Sequence, residues 1–392
     1  MRKEFNQGKV RAALSNKSSD RAAPYLLRNL LRKSHKCPYW RARATTFTPS
    51  APNLWTPLRG LSSSRPIKTM RWSRLPETPN APGFGGAFVG TSGDTLLCGG
   101  GSNYPDKAAW EGGVKAWHDE VYSLTSTRSK KWASIGKLPR PCGYGVSVSI
   151  RQGLLMIGGA DAHRHYADCY TLAIEEGELK VRPFPFLPRP LAYATGALVG
   201  SKVIIAGGTE RPDATAASST AYAIDLANLN AGWKELPLCA GSGRMLAQSA
   251  GTKDTFFMFG GVALSPGAKN VEREYLSDCH AFTLGKEWRR LAPLPRAVAA
   301  APSPCPVMDD NILILGGDDG KLAGKVDAVK HPGYAKTILS YDKSTDTWSE
   351  AGEGSSQVLS TGCTKWSGGF AVTNGEARPF VRSAEGWLLR PE

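Results

Sequence analysis

Long hydrophobic stretches are missing from this 392-residue chain, whose longest apolar runs, such as Ile312-Leu313-Ile314-Leu315, have the length of a strand. That excludes a membrane-spanning helix. None of the eight cysteines forms a Cys-x-x-Cys, so the usual sign of a zinc knuckle or a redox pair is absent. Histidines number six, and the close pair His163 and His165 has no further ligands indicated around it. We read that pair as an exposed polar loop and expect no metal and no organic cofactor. Acids are nearly absent from residues 1–69, where Glu4 and Asp20 face 15 lysines and arginines.

The last scarcity explains the net charge of +15. Residues 1–69 carry +13 of it, and 70–392 hold 34 bases against 32 acids. Nucleic-acid binding is therefore not expected of the body of the protein. The leader 1–69 lacks a sustained hydrophobic period and is read as disordered. Its composition also suits a targeting segment, and Met70 offers an alternative start, because the first recognisable unit begins at Arg71-Trp72. No secretory signal is visible: the apolar cluster from Tyr25 to Leu31 is broken by Arg28 and Asn29. With body cysteines unpaired by pattern, the expectation is a reducing, cytoplasmic setting.

What the chain has in abundance is glycine, 43 residues of it, and much of that recurs in a pattern. Six strand-like runs end in a diglycine or its relative: Leu96–Gly100, Leu155–Gly159, Ile204–Gly208, Phe257–Gly261, Ile314–Gly317 and Val372–Gly375. Spacings between the first glycines, with Asn374 standing in at the end, are 59, 49, 53, 56 and 58. An uninterrupted apolar run predicts a strand buried on both faces, and the glycines predict a sharp turn where a Cβ would clash. A strand with an aromatic follows (Tyr122, Tyr170, Tyr222, Phe282, Tyr341), then usually a tryptophan strand at Trp132, Trp233, Trp288 or Trp348.

These units resemble kelch repeats, the four-stranded blades of a β-propeller. The predicted fold is all-β: residues 70–392 form a six-bladed kelch-type propeller, preceded by the basic leader. Only 17 residues follow Gly375, too few for a full blade. The unpaired piece Arg71–Pro76 is therefore expected to supply the last strand of the sixth blade and close the ring, removing exposed edges. Cysteines recur at equivalent blade positions, Cys169 with Cys279 and Cys142 with Cys239, as small core residues do.

Loops gathered at one end of a propeller's channel form its site, so the segments after the diglycines are the place to search. Three are unusual: Gly99–Pro105 running on to Trp117, Asp318–Lys336, and Asn374–Arg382. In the last, Glu376 and Arg382 bracket a proline turn and can present a carboxylate and a guanidinium to one cavity. A guanidinium fork suits a ligand carboxylate, and a partly desolvated carboxylate can accept a proton. A plain intramolecular ion pair pinning the loop fits the same spacing.

Asn-Gly-Glu-Ala-Arg-Pro-Phe-Val-Arg, Gly-Gly-Gly-Ser-Asn-Tyr-Pro and His-Pro-Gly-Tyr-Ala-Lys together resemble segments of the N-acetylneuraminate epimerases, or sialic acid mutarotases, and more narrowly their circularly permuted branch. The resemblance implies a six-bladed propeller that speeds interconversion of the α and β anomers of sialic acid or a related acidic keto sugar. It implies Glu376 as proton acceptor and Arg382 as a site residue. Asn103, Lys336 and Arg378 are lesser candidates for binding the sugar. The rival expectation is a kelch-type protein- or carbohydrate-binding module without catalysis.

Overall fold

Short apolar runs ending at glycine turns produce short antiparallel strands, and 24 strands assemble as six four-stranded sheets. The computed structural model describes residues 70–392 apart from 80–81, 240, 269 and 355–358; the leader read at 1–69 lies outside the described residues. The six sheets are the blades of a propeller. Blade 1 runs Phe88–Ser92, Thr95–Gly99, Glu120–Leu124 and Ala133–Lys137 from the centre outward. The second strands are the most buried, as at Gly153–Ile157 and Thr255–Phe259, where every residue is enclosed.

Blade 6 closes the ring. Cys363–Trp366, Gly369–Thr373 and Gly386–Pro391 come from the end of the chain, and Met70–Leu75 supplies the outer strand. Six residue pairs, Met70 with Pro391 through Leu75 with Gly386, set its register. Leu75, Ala371 and Leu388 then share one core with Leu96, Tyr122 and Trp132 of blade 1. The cores lie between neighbouring blades, each holding two sheets face to face.

Two recurrent devices join the blades. Outer-strand indoles donate to the carbonyl that ends the preceding blade: Trp132 to Pro76 at 2.9 Å, Trp233 to Pro185 at 2.8 Å, Trp288 to Pro237 at 2.8 Å and Trp348 to Ala292 at 2.9 Å. The diglycines do the same near the axis. A Cβ on Gly158 would lie 2.3 Å from the Leu191 carbonyl of the next blade, and Gly159 donates its N–H to that carbonyl at 2.8 Å. Asn374, left-handed at φ 60°, replaces the glycine in blade 6. Its Oδ1 accepts the Thr78 hydroxyl at 2.7 Å and the Phe84 N–H at 3.2 Å, tying the two ends of the propeller together.

Just before each inner strand one residue takes a left-handed backbone: Gly86, Tyr144, Tyr193, Leu246, Ala300 and Ser360. Each of the six donates its N–H to the carbonyl of the preceding one, at 2.7–2.8 Å, and Gly86 bonds to Ser360 to complete the circle. Such a conformation is costly for bulky side chains and persists where the surroundings fix it. Beneath the circle, the narrow channel is crossed by hydroxyls, with Thr195 bonded to Ser249 at 2.7 Å.

Candidate functional site

Asn374-Gly375 turns the chain out of blade 6 into a small ribbon, Glu376–Arg378 against Val381–Arg382, with Phe380 left-handed at its tip. The six-residue spacing makes Glu376 and Arg382 cross-strand partners. Arg382 donates from Nη1 to Glu376 Oε2 at 2.6 Å, from Nε to the Ser102 carbonyl at 3.1 Å, and from Nη2 to Tyr144 Oη at 3.3 Å. Its side chain is 3% exposed, against 20% for Glu376. Gly85 makes the room: a Cβ there would sit 2.7 Å from Arg382 Nε. A buried guanidinium that loses its carboxylate partner is costly, about 3–5 kcal/mol, so this pair is a fixed element of the site.

The other carboxylate oxygen is held more loosely. Glu376 Oε1 accepts the Phe380 N–H at 3.1 Å and the Tyr334 hydroxyl at 3.4 Å. Burial, and then the charge of Glu376, push the Tyr334 phenol above its ordinary range. Burial likewise raises Tyr104, whose ring centroid lies 5.6 Å from the Arg382 guanidinium carbon. Both phenols thus keep their protons, and Tyr334 donates its own to Glu376.

Glu376, Arg382 and Tyr334 line a cavity of about 880 Å³. Its floor is the circle of left-handed residues, with Tyr144 and Tyr193 as the large side chains on it. Five cationic side chains face it (Lys115, Arg211, Arg273, Lys325, Arg382) against three carboxylates (Asp318, Asp327, Glu376), so it favours an anion. Lys115 is the notable cation. Its Nζ lies 4.5 Å from the ring centroids of both Trp117 and Tyr144. It enters no ion pair among the described residues, so the two rings orient a charge that remains available.

The three lesser candidates lie away from this cavity. Asn103 is buried and accepts from His118 Nε2 at 2.7 Å, fixing the base of the blade 1 loop. Lys336 is exposed on the strand Ala335–Asp342. Arg378 donates to the Val329 carbonyl at 3.0 Å, joining the blade 6 ribbon to the blade 5 loop. Tyr144 and Tyr193 escaped the sequence reading, although Pro-Cys-Gly-Tyr-Gly and Pro-Leu-Ala-Tyr-Ala place both at one repeat position. His165 is buried, with Nδ1 2.9 Å from the Thr209 carbonyl, and burial lowers its pKa. The described cysteines are all buried, and burial pushes the Cys98 thiol up to about 12. Such thiols are poor nucleophiles. No helix among the described residues is long and apolar enough to cross a membrane.

Comparison with known proteins adds a name to part of this picture. A family model described as N-acetylneuraminate epimerase matches residues 64–181. The N-acetylneuraminate epimerase of Salmonella arizonae is 33% identical over 136 residues, covering 31% of this chain and 34% of that protein. That of Haemophilus influenzae is 38% identical over 106 residues, covering 24% and 28%. The chain thus spans about a third of the length of the curated relatives it matches. A solved structure titled "Structure of YjhT" superposes with a TM-score of 0.61 at 17% identity, over 80% of this chain and 96% of that one, and shows a shared fold. Tyr104, Lys115 and Tyr144 fall inside the family-matched stretch, whereas Glu376 and Arg382 fall outside it. Over its first blade and most of its second, this six-bladed propeller is similar in sequence to the N-acetylneuraminate epimerases, the family its motifs resemble.

Proposed function

We propose that the propeller, residues 70–392, is an isomerase that interconverts the α and β anomers of N-acetylneuraminate or a related acidic keto sugar in the cavity beside Glu376. The observation that carries this reading is the division of labour on one carboxylate. Arg382 holds Oε2 at 2.6 Å, while Oε1 stands at the cavity with only longer contacts. A carboxylate aimed in this way can take the proton of the anomeric hydroxyl as the bond from the anomeric carbon to the ring oxygen breaks.

The ring oxygen must gain a proton in that step, and the Tyr334 hydroxyl, 3.4 Å from Oε1, is placed to give it. The open keto form then turns about the bond next to its carbonyl, and the ring hydroxyl attacks the opposite face. As it attacks, that hydroxyl returns its proton to the Tyr334 oxygen and Glu376 gives its proton to the former carbonyl oxygen, which restores both groups and completes the cycle. Arg382 spends three N–H groups on Glu376, Ser102 and Tyr144, which leaves two of a guanidinium's five for the sugar carboxylate. Lys115 supplies the second positive charge. Proton transfers thus accompany the breaking and remaking of a single carbon–oxygen bond.

The test follows the α-anomer NMR signal after release of the sugar by a sialidase. Glu376→Gln keeps the shape and loses the base, so the catalysed rate should fall about 10²–10⁴-fold. Lys115→Met should raise the half-saturating sugar concentration about tenfold and change turnover less. Wild-type and Glu376→Gln proteins that relax the sugar equally fast would overturn the reading. A non-catalytic carbohydrate-binding module is the second reading, and the Glu376–Arg382 pairing suits it. It would be supported by sugar binding to wild type without any acceleration.

A further inference from the structure

A second cavity, of about 650 Å³, opens beside the first. Tyr104 and Trp110 of the blade 1 loop, Val329 and Lys330 of the blade 5 loop, and Phe380 of the blade 6 ribbon wall it. Trp110 is 43% exposed, Phe380 50% and Val329 53%. Three of the seven exposed large apolar side chains among the described residues therefore converge on one groove, rather than scattering singly as surface apolar groups usually do.

The groove is built rather than loose. Arg378 pins the Val329 carbonyl at 3.0 Å, Asn103 fixes the blade 1 loop through His118, and a Cβ on Gly113 would meet the Lys107 carbonyl at 1.9 Å. Tyr104 and Phe380 pack edge to face with ring centroids 6.3 Å apart, and both line the inner cavity as well. Phe380 is also the residue whose N–H holds Glu376 Oε1. The outer groove thus begins at a residue in direct contact with the proposed base. Flat apolar walls with Asp327 and Lys330 at the rim suit a pyranose, which offers C–H faces and a girdle of hydroxyls.

We propose that this groove is a second sugar subsite, so that the substrate is the reducing end of an acidic oligosaccharide, with its reacting ring beside Glu376 and the next ring against Trp110. The inference rests on the epimerase reading above. Two probes separate them: free N-acetylneuraminate, and the reducing disaccharide in which a second such unit is joined through a side-chain hydroxyl of the first. Anomer exchange is measured by NMR on the full chain and on Trp110→Ala and Val329→Ser, both exposed positions. Wild type should show a higher kcat/KM for the disaccharide, and each variant should lower the disaccharide-to-monosaccharide ratio about five- to tenfold. Equal values for the two sugars in wild type, or a ratio unmoved in both variants, would overturn the subsite while leaving the epimerase standing. Acceleration of neither sugar would overturn both.

Discussion

Replacing Asn374 by glycine, the residue at this position in the other five blades, tests how the propeller is closed. Glycine would relieve the left-handed backbone at φ 60°, a gain of roughly 1 kcal/mol. Against this, the buried Thr78 hydroxyl and Phe84 N–H lose the acceptor they hold at 2.7 and 3.2 Å. Each unsatisfied group costs about 1–3 kcal/mol. The carboxamide nitrogen also gives up its contacts with the Thr373 hydroxyl and the Cys98 sulfur, both at 3.2 Å. The two groups together cost about 2–6 kcal/mol, so the net loss is about 1–5 kcal/mol, and at roughly 1.5 °C per kcal/mol for a domain of this size the melting temperature should fall about 2–8 °C. Thermal denaturation followed by circular dichroism reads this directly. A double-mutant cycle with Thr78→Val should show a coupling of about 0.5–1.5 kcal/mol between residues 296 positions apart in sequence. An unchanged or higher melting temperature for Asn374→Gly would refute the argument, since strain relief would then outweigh the clasp. Strict additivity in the cycle would refute the specific Thr78 contact.

Two further outcomes follow from the geometry. Gly85→Ala places a methyl 2.7 Å from Arg382 Nε while keeping the paired Gly85–Ser102 backbone. Turnover should fall about 10²-fold, crowding of the buried guanidinium should also lower the melting temperature by a few degrees, and wild-type turnover would show that the guanidinium can shift freely. Asp278 bonds the fully buried Arg244 at 2.7 and 2.8 Å and His280 at 2.8 Å. Burial alone would raise this carboxyl, but His280 and Arg244 together hold it well below its ordinary range. A depressed carboxylate stabilises the fold above its unfolded pKa, near 4, and that stabilisation fades as the pH falls below it. Asp278→Asn should therefore melt lower than wild type at pH 7, and the gap should narrow from pH 4 downward. A gap independent of pH would remove the charge from the explanation.

The blades were legible in the sequence because the diglycine is required by the backbone. A Cβ on Gly100, Gly158, Gly207 or Gly260 would lie 2.3 Å from a carbonyl of the next blade, so the same pattern is imposed blade after blade. In the first unit the left-handed pair is Gly100-Gly101, one residue later than the run Gly99-Gly100 suggested, because Gly99 still pairs with Phe88 in the strand. Glu376 and Arg382 were legible as a unit because six residues about a proline turn make cross-strand neighbours. The walls of the cavity were not. Lys115, Tyr193 and Tyr334 meet there from three different blades, and no local spacing encodes which loops converge. Asn103 illustrates how position adds to residue type: the side-chain oxygen of this polar loop residue is engaged by His118.

The circle under the cavity has a consequence for what can be recognised there. Each of its six residues both gives and receives, N–H toward one neighbour and carbonyl toward the other. The bonds therefore run in one rotational sense, and dipoles set head to tail around a closed loop sum to almost nothing. All six amide hydrogens are consumed in the circulation, so the floor offers a bound anion neither a free donor nor a net field. Discrimination by charge must come from side chains on the surrounding loops, which can vary from one propeller to another without disturbing the circle beneath them.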